Sequence, residues 1–258
     1  MIDWHTFHSV CLESSGVSPN GPVHFPVQCR IRDVPWSLCF SIIRISSPVV
    51  NGYRPPMPFQ NRVLSNGDII AHQGRGLFMG NRGILHDEKQ NLGRARWRHK
   101  AWVTCVLKHK DWHREIMQTG HYTELFFLDE AVALAAGHRP CALCRRYAYN
   151  TYRDAVGING NVKALDNQLH QDRAIPRTFQ QRRIESDISQ LPNGAVILSS
   201  EPQLVMDDAL IPIAPDGYRA PATKPKSGKS LVATPALTLQ ALWAGYQPEL
   251  HPTALARL

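Results

Sequence analysis

The sequence predicts an α+β protein, with short strands and hairpins and short helices around an inserted metal-binding knuckle. Asn66-Gly67 stands between the apolar runs of Arg62 to Ala71, the strongest short-range hairpin signal. Helix start and stop residues bracket only short segments, as where Asp129 precedes and Gly137 follows an alanine-rich run. Directly after that run, Arg139-Pro140 leads into Cys141-Ala-Leu-Cys144, a spacing at which two thiolates can bind one tetrahedral ion.

In chain order, residues 1–56 differ from the rest. They hold no Lys, are rich in Ser and Pro, carry Cys11, Cys29 and Cys39, and sustain neither helical nor strand periodicity. They are expected to be a loose or non-native extension, with Met57 a candidate first residue. Residues 57–157 are read as the metal-binding core, and 158–258 as an α+β part of the same or a second small domain.

After the first hairpin come the glycines Gly74, Gly76, Gly80 and Gly83, read as tight turns, then strands around Lys100 to Leu107 and Glu124 to Leu128. Helices follow from Glu130, capped by Asp129, to Gly137, and from Cys141 to Val156, ended by Gly157. Two more are expected at Val162–Arg173 and Phe179–Gln190. Asn193-Gly194 repeats the hairpin phrase, Ala220 to Ser230 reads as an exposed loop, and a last helix runs from Pro235 to Ala244 before Gly245.

With 258 residues, of which 43% are hydrophobic, the chain is long enough for one sizeable core or two small ones, which excludes a disordered tail. A net charge of +8 favours a polyanionic partner, nucleic acid before membrane. No apolar window reaches the length of about 18 residues that a spanning helix needs; Trp36 to Val50 comes nearest, interrupted by Arg44 and several Ser. Six Cys in a chain of this length form no disulfide framework, which points to a reducing cytoplasm.

A lone Cys-x-x-Cys fits zinc, redox chemistry or chance, so the other half of the site decides. Cys105 ends the strand Ala101-Trp-Val-Thr-Cys105 and His109 stands four residues on, giving Cys-x3-His and then Cys-x2-Cys. Cys105, His109, Cys141 and Cys144 make a Cys3His set for Zn2+. His86, His113, His121 and His138 are rival fourth ligands. A redox pair would sit between strand and helix of a thioredoxin-like unit, which this pattern does not supply.

Phe126-Phe127, the helix Ala131 to Ala136 and the phrase Ala136-Gly137-His138-Arg139-Pro140-Cys141-Ala-Leu-Cys144 carry a family likeness. Over Thr123 to Arg146 the chain resembles the zinc-binding N-terminal domain of the Ada methylphosphotriester DNA repair proteins, in which such a phrase delivers the last two of four zinc cysteines. Extended back, the resemblance places Cys105 on the family's methyl-accepting cysteine and His109 where the family has a second Cys, across a longer intervening stretch. It does not reach the family's helix-turn-helix or alkyl-transferase parts. What it implies is bound zinc and, as one alternative, a zinc thiolate that accepts a methyl group from alkylated DNA.

Arg94, Arg96, Arg98, Lys100, Lys108, Lys110 and Arg114 interleave with Trp97, Trp102 and Trp112, the composition of a nucleic-acid surface, to which Arg145 and Arg146 after the knuckle are added; an amphipathic strand with inward tryptophans would give the same pattern. The glycine-rich stretch lacks the Gly-Lys-Ser/Thr ending of a phosphate loop. His86-Asp87 with Asn81 and His109 or His113 could assemble an HNH-like nuclease, though no spacing enforces it. The leading expectation is a zinc protein that binds DNA or RNA through a basic face. Its alternatives are the methyl acceptor and an interaction module without a nucleic-acid role.

Overall fold

The computed structural model describes residues 57–112, 115–158 and 160–257. The extension read over 1–56, its three cysteines, His113 and Arg114 lie outside them. Pro55–Leu258 forms one compact unit with an α+β architecture.

The first sheet has strands β1 (Gln60–Val63), β2 (Ile69–Ala71), β3 (Phe78–Asn81), β4 (Val103–Val106), β5 (Leu125–Phe127) and β6 (Arg139–Pro140) in the order β2-β1-β5-β3-β4-β6. β1 and β2 are the hairpin that Asn66-Gly67 announces, with Gly67 at φ 89°. Gly76 and Gly80 serve close packing instead of turning the chain. A Cβ on Gly76 would lie 1.7 Å from the Phe127 carbonyl oxygen, and one on Gly80 2.0 Å from that of Val103.

Helix α1 (Glu130–Ala135) starts where Asp129 accepts the Val132 N–H and ends before Gly137 at φ 84°. All six of its residues are buried. Ala131, Val132, Ala133 and Ala135 join the core of the first sheet, which also takes in Val196, Leu204, Ile211 and Tyr218; Leu134 enters a second core with Tyr149, Tyr152, Leu165 and Leu242. Residues on both sides of position 157 therefore share both cores.

Helices α2 (Arg146–Val156) and α3 (Val162–Arg173) follow; α2 stops at Gly157, φ 66°. α2 begins five residues later than expected, so the cysteines precede it in a turn and no thiol sits at its first turn. In α3, Leu165 and Leu169 are buried but Val162 is exposed.

The ribbon β7 (Ala174–Ile175) and β8 (Gln180–Gln181) leads to a second sheet: β9 (Ile184–Asp187), β10 (Val196–Leu198), β11 (Pro202–Met206), β12 (Ala209–Ala214), β13 (Gly217–Tyr218), β14 (Ala222–Thr223) and β15 (Lys229–Val232), ordered β13-β12-β11-β10-β15-β9 with β14 on β12. The helix expected over 179–190 is absent: β9 pairs from Ile184↔Val232 to Asp187↔Lys229 and only a 3-10 turn follows. Cross-strand pairing overrides its weak helical propensity.

The second Asn-Gly makes no hairpin either. Asn193 clamps Asp207, accepting its N–H at 2.6 Å and donating to its carboxylate at 2.7 Å, while β10 and β11 join through Ser199–Glu201. The supposed loop 220–230 carries β14 and the start of β15. Helices α4 (Ala236–Trp243), followed by Gly245 at φ 94°, and α5 (Pro252–Leu255) close the chain. Among the described residues no helix is long and apolar enough to cross a membrane.

Candidate metal centre

Strands β4 and β6 run parallel with Val103 opposite Arg139 and Thr104 opposite Pro140. The Cys141 N–H continues the ladder to the Thr104 carbonyl at 2.9 Å. One further step in that register sets Cys105 beside Cys141 on the same face, because side chains alternate identically along paired strands. The chain then turns, and Cys144 closes a set of three sulfurs lying within 4.8 Å of one another. A tetrahedral zinc with bonds of about 2.3 Å spaces its sulfurs about 3.8 Å apart, so this set could hold a metal ion.

The backbone favours a thiolate at Cys141. The Leu143 N–H points at the Cys141 sulfur at 3.4 Å. Hydrogen bonds from the Cys105 and Cys144 thiols, joined by those from the Cys144 and Leu143 amides, hold the Cys141 thiol well below its usual range against the effect of burial. The Cys105 thiol is pushed up, chiefly because it donates to Cys141 and Cys144 and also because it is buried. One sulfur thus ionises readily at the expense of the others, and a cation is what allows all three to ionise together.

The fourth position is narrowed by what each histidine already does. His138 is buried and committed: Arg82 Nε donates to its Nε2 at 2.8 Å, leaving Nδ1 to donate to the Val103 carbonyl at 3.0 Å. Burial and the adjacent Arg82 hold its pKa well below the ordinary value. His86 bonds Thr123 Oγ1 at 2.6 Å through Nδ1, and the exposed His121 bonds the Thr119 carbonyl. His109 differs. Its Nε2 is buried without a hydrogen-bond partner, and its ring stands edge-on to Trp112 at 5.4 Å. Among the described residues no histidine nitrogen falls inside the 4.8 Å set of sulfurs.

Charged pairs fix the knuckle from behind. Arg139 forks onto Asp166 at 2.7 and 2.8 Å. Arg145 forks onto Glu130 at 2.7 and 2.9 Å. The ion pairs were not visible from spacing, since Asp166 is 27 residues from its partner.

Of the residues read as a nucleic-acid face, Arg94, Arg98, Lys100, Lys108, Lys110 and Arg146 are exposed. Arg145 stands apart from them, its side chain only 7% exposed and spent on Glu130. Trp97 is half-buried against Trp102, His170 and Phe179, while Trp102 is fully buried. The sequence reading missed Leu143 and Tyr147, exposed beside the cysteines; their place in the Cys-x-x-Cys turn and the following helix was the available signal. In the HNH-like grouping, Asp87 is occupied in capping the Lys89 and Asn91 amides, and Asn81 accepts from His99 rather than meeting His109.

No protein-family model, no curated protein and no solved structure matches the chain.

Proposed function

We propose that the chain is a zinc-binding protein with an Ada-like knuckle, in which Cys105, Cys141, Cys144 and His109 hold one structural Zn2+ and the rim of the knuckle binds DNA or RNA. The observation that carries the reading is the parallel register of β4 and β6, which supports a preformed three-sulfur set. The unpartnered His109 Nε2 supports the fourth ligand. Thiolates and imidazole suit zinc among the common cations, and the metal would supply a cross-link between β4, the turn after it and the Cys-x-x-Cys loop. Cys105, Cys141 and Cys144 are free rather than disulfide-bonded, which fits a reducing, cytoplasmic setting.

The nucleic-acid part rests on chemistry gathered around those same segments. Lys108, Lys110 and Arg146 offer exposed cations, and Trp112 and Tyr147 expose 65% and 85% of their surface. Cations follow phosphates and open aromatic faces stack on unpaired bases. The test is elemental analysis of reduced, full-length protein purified without chelator, joined to a salt titration of single-stranded DNA and RNA binding. One zinc per chain and an affinity that falls with salt and with Trp112→Ala are expected. A chain that carries no zinc removes the metal reading, and affinity unmoved by salt removes the nucleic-acid reading.

A further inference from the structure

Away from the cysteines, the turn after β1, the end of β3 and the segment entering β8 enclose a cavity of about 290 Å³ walled by Arg82, Arg96, Arg183, Trp97 and Phe179. Among the described residues none of these three arginines has a carboxylate within ion-pair distance. Asp68 is the one acid in the wall, and it accepts from Asn66. The guanidinium groups are instead held by neutral acceptors. Arg82 donates to His138 and the Ala136 carbonyl, Arg96 to the Gly93 carbonyl at 2.7 Å, and Arg183 to the Asn66 and Ala233 carbonyls.

Arg82 is almost fully buried, stacked 4.3 Å over the Trp102 ring. A buried cation without a counter-charge is costly, and a fold built for stability alone would pair or replace it. Burial first, then the nearby Arg173, Arg183 and Arg96, lower its pKa to about 9, while Asp68 favours the charge on Arg183. Carbonyl anchors fix the forks without neutralising them, which preserves a positive potential in the cavity.

Two aromatic rings also line the cavity. Phe179 sits at φ 57°, a conformation rare for a bulky side chain, and that turn sets its ring edge-on to Trp97 at 5.0 Å. An anion-attracting floor beside two rings matches a ligand with a phosphate at one end and a planar base at the other. We infer that this cavity binds a nucleotide, taking its phosphate monoester on Arg82, Arg96 and Arg183 and its base against Trp97 and Phe179. The source is either a free mononucleotide or the 5′-phosphorylated end of a nucleic acid. The inference stands on residues apart from the metal ligands, so it survives or fails independently of zinc.

The experiment is calorimetry, checked by tryptophan fluorescence, on the full-length protein. The probes are a nucleoside 5′-monophosphate, the same nucleoside, inorganic phosphate, and one oligonucleotide with a 5′-phosphate or a 5′-hydroxyl. Saturable binding of the monophosphate is expected, at least about tenfold tighter than the nucleoside or inorganic phosphate, and Arg96→Gln is expected to weaken it about tenfold. Arg82→Gln risks the fold, so the half-buried Arg96 carries the test, with Arg183→Gln as a second variant. Tighter binding of the 5′-phosphorylated oligonucleotide identifies a nucleic-acid end, and tighter binding of the mononucleotide identifies a free nucleotide; either upholds the site. No saturable binding of any phosphate, equal binding of nucleoside or inorganic phosphate, or indifference to both arginine changes overturns it.

Discussion

Arg145 and Glu130 are joined by two parallel charge-assisted hydrogen bonds of 2.7 and 2.9 Å, with side chains only 7% and 2% exposed. The pair ties the residue after Cys144 to the first residue of α1. Glu130 also receives the Tyr246 hydroxyl at 2.7 Å and the Glu249 N–H at 2.9 Å, while the Arg145 guanidinium lies 4.2 Å over the Phe78 ring. Four donors on one buried carboxylate thus link the knuckle, the central helix and the C-terminal segment. The geometry of the cysteine turn is inherited from this clamp.

Glu130→Gln keeps the shape and removes the charge, leaving Arg145 buried beside a neutral amide. The expected loss is about 3–5 kcal/mol of unfolding free energy, the usual cost of breaking a buried pair from one side. Tyr246→Phe deletes one donor and should cost about 1 kcal/mol. Urea denaturation of zinc-loaded protein measures both; a loss below about 1 kcal/mol for Glu130→Gln would show the clamp to be dispensable.

The pieces of fold that local chemistry controls were legible. Asp129, Gly137, Gly157 and Gly245 marked helix ends, and Asn66-Gly67 marked a hairpin, because each acts through its own backbone. Long-range pairing was not. Ile184 became strand because Val232 was there to pair with it, and Asn193 was diverted by Asp207. In the candidate site, Cys141 and Cys144 announced themselves by spacing. Cys105, read as a ligand from the Cys-x3-His spacing, meets them through the register of β4 on β6, which no local pattern encodes. Of the arginines of the cavity only Arg96 was read as a contact for an anion, since the convergence of all three depends on segments about a hundred residues apart.

The roles of the histidines can be separated by metal content. Cys105→Ser, Cys141→Ser and Cys144→Ser should each lose most of the zinc and lower stability together, because binding energy in such knuckles is largely folding energy. His109→Ala should weaken zinc by more than about 100-fold, beyond the loss expected for a residue that only supports a ligand. His138→Gln should leave one zinc per chain, since both ring nitrogens are engaged elsewhere. Competition with a chelating dye reads all of these. A Cys105→Ser protein that keeps its fold and its zinc would exclude Cys105 as a ligand and, with it, any methyl-acceptor role on the metal.

Gly80→Ala tests the close approach of β3 to its neighbour. The added Cβ would meet the Val103 carbonyl oxygen at 2.0 Å, and backbone in the middle of a sheet cannot give way as a side chain can. A loss of about 3 kcal/mol, the upper end for overpacking, is expected from thermal or urea unfolding. Gly120→Ala, at a glycine with φ 77° and nothing near its Cβ, separates conformational strain from crowding and should cost about 1 kcal/mol. Equal losses at the two sites would remove the packing explanation.

Acid should destabilise the fold through two histidines held neutral, the buried His138 and the half-buried His170. The pKa of His138 lies well below 6.5, by burial and then by Arg82, and that of His170 is lowered to about 4, by burial and then by Arg173 and Lys100. The unfolded chain therefore takes up protons near pH 6.5 that the native state refuses, so stability is complete above that pH and is lost progressively as pH falls from it toward the folded values. At His138 the physical cause is plain: protonation would place a second cation 2.8 Å from Arg82 Nε. The thiolates of the proposed zinc site would also take up protons on acidification, so the informative quantity is the difference between wild type and His138→Gln, in which that shared contribution cancels. The variant should be less stable at pH 7.5 and show a shallower decline in urea midpoint between pH 7 and 5. Parallel curves for the two proteins would mean that His138 does not drive the acid sensitivity.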